Sequence, residues 1–198
     1  MKTRKTRKTG GHKVHYDYNK NITTGTNKPL TGKHVHENNC LACVLFSLGL
    51  ITESTATYLQ RKTLNGVRNQ TMLDMINDTY GPGHTLKEYP DDESLKAYLH
   101  PGEATLGQYG GIVRGVAEWG HFFIVFHAMN GKVYAIDPQE YTVTPLYTYL
   151  SESEWDHFLV LTEPSSKVTN HKWITPEIIK KAIDKDTELY RSQLQSLL

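Results

Sequence analysis

Asn130-Gly131 stands between two runs of β-branched and aromatic residues, 122–128 and 133–136. Asn-Gly readily adopts the left-handed backbone that a tight reversal needs, so this stretch predicts an antiparallel β-hairpin. Residues 112–116 and 158–162 have the same composition and read as further strands. Residues 142–150 read as another, interrupted by Pro145. Ser151-Glu152-Ser153-Glu154 has the spacing of a capping box and predicts a short helical turn opening there.

The first half of the chain is helical in pattern. Asn38-Asn39 precedes a run from residue 40 to 51 that is apolar nearly all round. Asn favours the N-cap, and a helix apolar on every side belongs in a core. A second helix is expected over 69–80, where Met72, Leu73, Met75 and Ile76 share a face and Gly81-Pro82-Gly83 stops the element. A short helix is expected over 92–99, with Asp91-Asp92 at its N-terminus. Near the C-terminus, Thr175 is an N-cap with Pro176 in the first helical position. Ile178, Ile179, Ala182, Ile183, Leu189, Tyr190, Leu194 and Leu197 trace a stripe expected to pack on the same domain. Helices first and strands second predict an α+β fold.

With 198 residues, 38% of them hydrophobic, the chain is sized for one globular domain. Its net charge of +1 hides an asymmetry. Lys2, Arg4, Lys5, Arg7, Lys8 and Lys13 crowd the first thirteen residues without an acid, which leaves residues 14–198 with an excess of carboxylates. Residues 1–33 therefore read as a basic, flexible N-terminal arm, either a solubilising tail or a segment that docks on an anionic partner such as nucleic acid or a capsid. Residues 34–164 form the expected main domain, and 165–198 a linker and amphipathic helix. Cys40 and Cys43, the two cysteines, are too close to staple a fold, which fits a reducing compartment or a reactive thiol. No apolar run approaches the ~20 residues of a membrane span, and no secretion signal follows the basic start. The expected location is the cytoplasm, a host cell's included.

Cys40 carries the most chemical information. A thiol opening a helix meets the positive end of the helix dipole and unpaired N–H groups, which favour a thiolate and can bind an oxyanion. Cys43 lies one turn further in among Val44, Leu45 and Phe46 and reads as apolar filler. A thiol nucleophile needs a base, and the base an orienting group. His121 opens one hairpin strand and Asp137 ends the other, so imidazole and carboxylate can meet and complete a Cys40-His121-Asp137 triad. Gly120 would leave room for a substrate backbone, and Trp119 would wall the pocket. Two other readings use the same cysteines: a zinc knuckle of His34, His36, Cys40 and Cys43, and a Cys-x-x-Cys redox pair. Cys43 faces an apolar run and no strand leads into the motif, which argues against both. His84, His100, His157 and His171 read as solvated loop or turn residues, and His127 lies too far along the strand from His121 to share its role.

Asn38-Asn39-Cys40-Leu41-x-x-Val44-Leu45, then Gly120-His121-Phe122, then Val133-Tyr134-Ala135-Ile136-Asp137, resemble in that order the papain-like cysteine peptidase superfamily. The opening is similar to viral papain-like proteases that also act on ubiquitin-type conjugates. Asn130-Gly131-Lys132-Val133-Tyr134-x-x-Asp137-Pro138-Gln139 is also similar to papain-fold bacterial toxins that deamidate glutamine. The resemblance spans about residues 36–140. It implies a papain-like α+β fold, with Cys40 as nucleophile, His121 as general acid and base and Asp137 as orienting residue. The reaction would be hydrolysis of peptide or isopeptide bonds, with no cofactor and with protein, peptide or ubiquitin-like conjugates as substrates. The chain departs from the pattern before the nucleophile, where His34-Val35-His36-Glu37 contains no Gln or Trp. The oxyanion donors are then backbone N–H groups with Asn38 or Asn39, unless these only cap the helix. A structural or virion protein on the same scaffold, working through its basic arm, is the reading from a different class. The Lys-Thr-Arg repeat of the tail resembles proteins of large DNA viruses.

Overall fold

The computed structural model describes residues 40–64, 66–100, 108–117, 120–152, 154–162 and 172–196. The basic arm, Asn38, Asn39, Trp119, His34 and His36 lie outside them. Along the chain the elements are α1 (Cys40–Ser47), α2 (Glu53–Lys62), α3 (Asn69–Tyr80), β1 (Thr85–Tyr89), α4 (Asp92–Tyr98), β2 (Gln108–Val116), β3 (His121–His127), β4 (Val133–Asp137), β5 (Thr142–Pro145), α5 (Leu146–Ser151), β6 (His157–Thr162) and α6 (Pro176–Gln195). The fold class is α+β, and the strands pair antiparallel in the order β1-β6-β2-β3-β4-β5.

The hairpin forms where Asn130-Gly131 calls for it. Gly131 takes a φ of 77°, its N–H donates to the Ala128 carbonyl, and the Ala128 N–H donates to the Lys132 carbonyl. β3 is covered on both sides, which is why it reads as an unbroken apolar run. Phe122, Ile124 and Phe126 pack with Leu41, Val44, Leu45, Met72 and Met75 on one face of the sheet. Phe123 and Val125 pack with Leu95, Leu146, Leu150 and Phe158 on the other. α1, α2, α3 and α6 therefore share one layer, and α4 and α5 cover the opposite face.

α1 is the core helix that its composition requires: Leu41, Val44 and Leu45 are buried. It ends at Ser47 although the apolar run continues to Ile51. Gly49 turns left-handed with φ 69°, and the Gly49 and Leu50 N–H groups bond back to the carbonyls of Phe46 and Leu45. That pair of bonds is the Schellman cap, which closes a helix where glycine supplies the left-handed residue. α3 begins and ends as expected, with Gly81 at φ 101° as its C-cap. Asp91 caps α4 through the Ser94 N–H, and Thr175 caps α6 through the Ile178 N–H.

Several elements differ from the sequence reading. Residues 142–150 do not form one strand: β5 stops at Pro145, which serves as the N-cap of α5. Leu146 and Leu150, one helical turn apart, then both reach the core, an arrangement a strand cannot give. Ser151 ends α5, its Oγ donating to the Thr148 carbonyl, so it does not cap a following turn. α2 and β1 carry no clear apolar periodicity and are fixed by context. α2 is capped by Thr52 and held by Ala56 and Leu59, and β1 pairs along one side of β6. His84 is buried rather than solvated, its ring against Asn77 Oδ1 and the Gly81 carbonyl. In α6 the first turns pack on α3, with Ile179 and Ala182 buried and Lys181–Asp78 and Lys185–Asp74 pairs at 2.9 and 2.8 Å. Beyond them Leu189, Tyr190 and Leu194 are exposed, so the stripe packs on the domain over only half of its length. Among the described residues, no helix is long and apolar enough to cross a membrane.

Candidate active site

The end of the sheet where β3 begins and β4 ends is also where α1 begins. The register pairs Ile124 with Ile136, which sets Asp137 level with Phe123 and one same-face step from His121. His121 Nε2 and Asp137 Oδ2 lie 2.6 Å apart, and Cys40 is the other group close enough to act on the imidazole. With Nε2 engaged by the carboxylate, Nδ1 is the ring nitrogen left for the sulfur. The structure thus brings together the three side chains singled out in the sequence, from segments far apart in the chain.

Asp137 is held on all sides. Its Oδ1 accepts from the N–H groups of Gln139 and Glu140 at 3.0 and 3.1 Å, and its Oδ2 accepts from the Tyr149 hydroxyl at 2.9 Å as well as from His121. Burial opposes the charge of this carboxylate, but the bond to His121, the imidazolium charge and these donors outweigh it and hold the group below the usual carboxylate range. Burial likewise works against a charged His121. The hydrogen bonds to Asp137 and Cys40, with the charge of those two groups, prevail and raise the imidazole from 6.5 to about 10. At neutral pH the ring therefore carries a proton between a carboxylate and a sulfur. That is the state in which it can protonate a leaving amine.

Cys40 is 9% exposed and Cys43 1%, and only Cys40 lines the adjoining groove. The groove encloses about 1010 Å³ between the α2–α3 connection, the start of α3, Arg114 of β2 and the outer part of α6. Being the first residue of α1, Cys40 has backbone N–H groups beside it without intrahelical partners, the donors an oxyanion would use. Asn38 and Asn39, expected as oxyanion or capping residues, lie outside the described residues.

The space at Gly120, expected to admit a substrate backbone, is taken by the chain itself. A Cβ built on Gly120 would collide with the Arg114 guanidinium, so glycine here makes room for it. Gln139 contributes its backbone N–H to Asp137, while its buried Oε1 has no hydrogen-bond partner among the described residues. Sequence reasoning did not find Tyr149, which sits on α5, packs on Phe123 with ring centroids 4.9 Å apart and stacks on Trp155. Nothing local marks it, because its bond to Asp137 is made by the turn of α5. Arg114 did leave a signal, as a lone cation inside the apolar run 112–116.

Tyr149→Phe removes one of the donors to Oδ2 and keeps the ring. It is expected to lower stability by about 1 kcal/mol and, if the triad is catalytic, kcat/KM by about three- to tenfold. Denaturant titration and steady-state rates check both effects, and an unchanged rate would deny the hydroxyl a positioning role.

Among the described residues, no three His, Cys, Asp or Glu side chains are grouped as a metal site. Comparison of the chain with protein-family models, with curated proteins and with solved structures returns no match.

Proposed function

We propose that this protein is a papain-like thiol hydrolase that cleaves peptide or isopeptide amide bonds. The observation that supports the reading is the contact of His121 with Asp137 on one side and with Cys40, at a helix N-terminus lining an open groove, on the other. Each group has a task that its surroundings suit. Cys40 Sγ attacks the amide carbon, and the carbonyl oxygen takes the negative charge beside the N–H groups at the start of α1. His121 gives its proton to the nitrogen as the C–N bond breaks, leaving a thioester and a free amine. The now neutral imidazole takes a proton from water, the hydroxyl adds to the thioester carbon, and the C–S bond breaks to release the acid and restore the sulfur. Asp137, fixed by Tyr149 and two backbone donors, keeps the ring oriented and offsets its charge through both steps.

Deamidation of a glutamine side chain follows the same steps with ammonia leaving, so it remains within the proposal as the alternative substrate. Labelling with a peptide or ubiquitin-type probe carrying a thiol-reactive group in place of the scissile amide tests the reading. Mass spectrometry is expected to find the adduct on Cys40, with the labelling rate lowered at least about a hundredfold by His121→Ala. Equal, slow labelling of both cysteines, indifferent to His121, would leave a scaffold without this activity.

A further inference from the structure

Arg114 sits in unusual company. Its guanidinium projects from β2 into the gap left by Gly120 and stacks over the Phe122 ring, 5.2 Å from the centroid. Nη1 donates to Asn69 Oδ1 at the start of α3, and Nε is buried with no hydrogen-bond partner among the described residues. Among those residues no carboxylate pairs with it. Burial opposes its charge, and among the described residues Cys40 is the group that favours it. A cation held in this way is costly unless something negative completes it.

The rest of the groove has the same sign. Arg61, Lys62 and Arg68 line it with Arg114, against one lining carboxylate among the described residues, Asp186, which lies 3.5 Å from Arg68. Residues 14–198 as a whole carry more acids than bases, so this is a local concentration of positive charge in an acidic body. Cys40 itself lines the same groove. Thr63, Gln70, Thr71 and Thr187 add hydrogen-bonding groups along the walls.

We infer that the groove selects an acidic polypeptide segment, with Arg114 holding a substrate carboxylate beside the amide that Cys40 attacks and Arg61, Lys62 and Arg68 binding further acidic residues. This rests on the thiol hydrolase reading and names the substrate class for it. A planar guanidinium suits a carboxylate in geometry as well as in charge. Polypeptide is favoured over nucleic acid because the groove reaches the Cys40 thiol, whose neighbour His121 suits it to amide chemistry.

Peptide vinyl sulfones test the inference on the full chain, using matched sequences with Glu or Gln at the positions flanking the electrophile. The Glu probe is expected to label Cys40 about tenfold faster than its Gln counterpart, an advantage that shrinks as salt is raised. Arg114→Gln is expected to bring the ratio close to one, and Arg114→Lys to restore part of it; the ratio compares two probes on the same variant, so a change in the thiol's own reactivity cancels. Lys62 and Arg61 are exposed, so the pair Arg61→Glu and Lys62→Glu keeps the fold and is expected to reduce the ratio as well. Glu and Gln probes reacting equally on Cys40 would overturn the acidic-substrate inference and leave the hydrolase reading standing. No peptide probe reacting while iodoacetamide does would overturn both. Protection of Cys40 by a single-stranded oligonucleotide but not by a Glu-rich peptide would reassign the groove to nucleic acid and overturn the inference.

Discussion

Cys40→Ala is expected to abolish amide hydrolysis, a loss of about 10⁴-fold or more in kcat, whereas Cys43→Ala leaves kcat/KM within about twofold. The two thiols are one helical turn apart, and their surroundings separate them. Cys40 begins α1, acts on His121 and lines the groove. Cys43 is buried a turn deeper, where Ser47 Oγ donates to its carbonyl at 2.7 Å. Removing the sulfur at position 40 takes away the atom that forms the thioester, and no neighbouring group replaces it. Removing it at position 43 opens a small cavity and costs stability, about 1–2 kcal/mol, with little effect on chemistry. Steady-state hydrolysis together with thermal denaturation of both variants reads the two effects apart. A Cys43→Ala variant that loses activity while remaining folded, beside an active Cys40→Ala, would move the nucleophile.

Asp137→Asn has the second large effect, and pH distinguishes it from a simple packing defect. The amide keeps the shape of the side chain but removes the charge that holds His121 protonated. The rate is expected to fall by about 10²–10⁴-fold. For stability the two partners of the pair act in opposite directions along the pH axis. His121 is raised from 6.5 to about 10, so its contribution is complete below pH 6.5 and disappears as pH climbs to about 10. Asp137 is lowered, so its contribution is present above the ordinary carboxylate value near 3.8 and disappears as pH falls through the depressed value in the fold. Both are fully present between about pH 4 and 6.5. In that interval the substitution is expected to cost about 3–5 kcal/mol, the difference narrowing toward pH 10. Thermal unfolding of wild type and variant across pH 4–10 measures it. A gap of constant size over this range would show that the carboxylate and imidazole do not share a proton-dependent interaction.

What local sequence carries and what it does not can be read from individual residues. Asn130-Gly131 fixes a hairpin because a left-handed turn residue leaves the chain few alternatives. The helix over 69–80 is legible because its apolar residues recur at helical spacing and Gly81 ends it. Cys40, His121 and Asp137 could be singled out because each sits at an element end, and element ends are where these patterns leave marks. Tyr149 could not, since its partner lies in another element and the helix carrying it is six residues long, preceded by a proline that reads equally well as the interruption of a strand. α2 and β1 were hidden for a related reason: each borrows its stability from neighbours, and little of it appears in periodicity. The basic groove belongs to the same class, since Arg61, Lys62, Arg68 and Arg114 are brought together only by the packing of α2, α3 and the sheet.

The helix that carries the thiol is also a central piece of the core, and this has a bearing on biosynthesis. Ribosomes deliver Cys40 long before they deliver His121 and Asp137, so the emerging polypeptide bears a sulfur with neither proton donor nor groove. The three side chains meet only once the hairpin seats Phe122, Ile124 and Phe126 against Leu41, Val44 and Leu45. On the proposed hydrolase reading, a nascent copy therefore gains its chemistry only after most of the domain has left the ribosome.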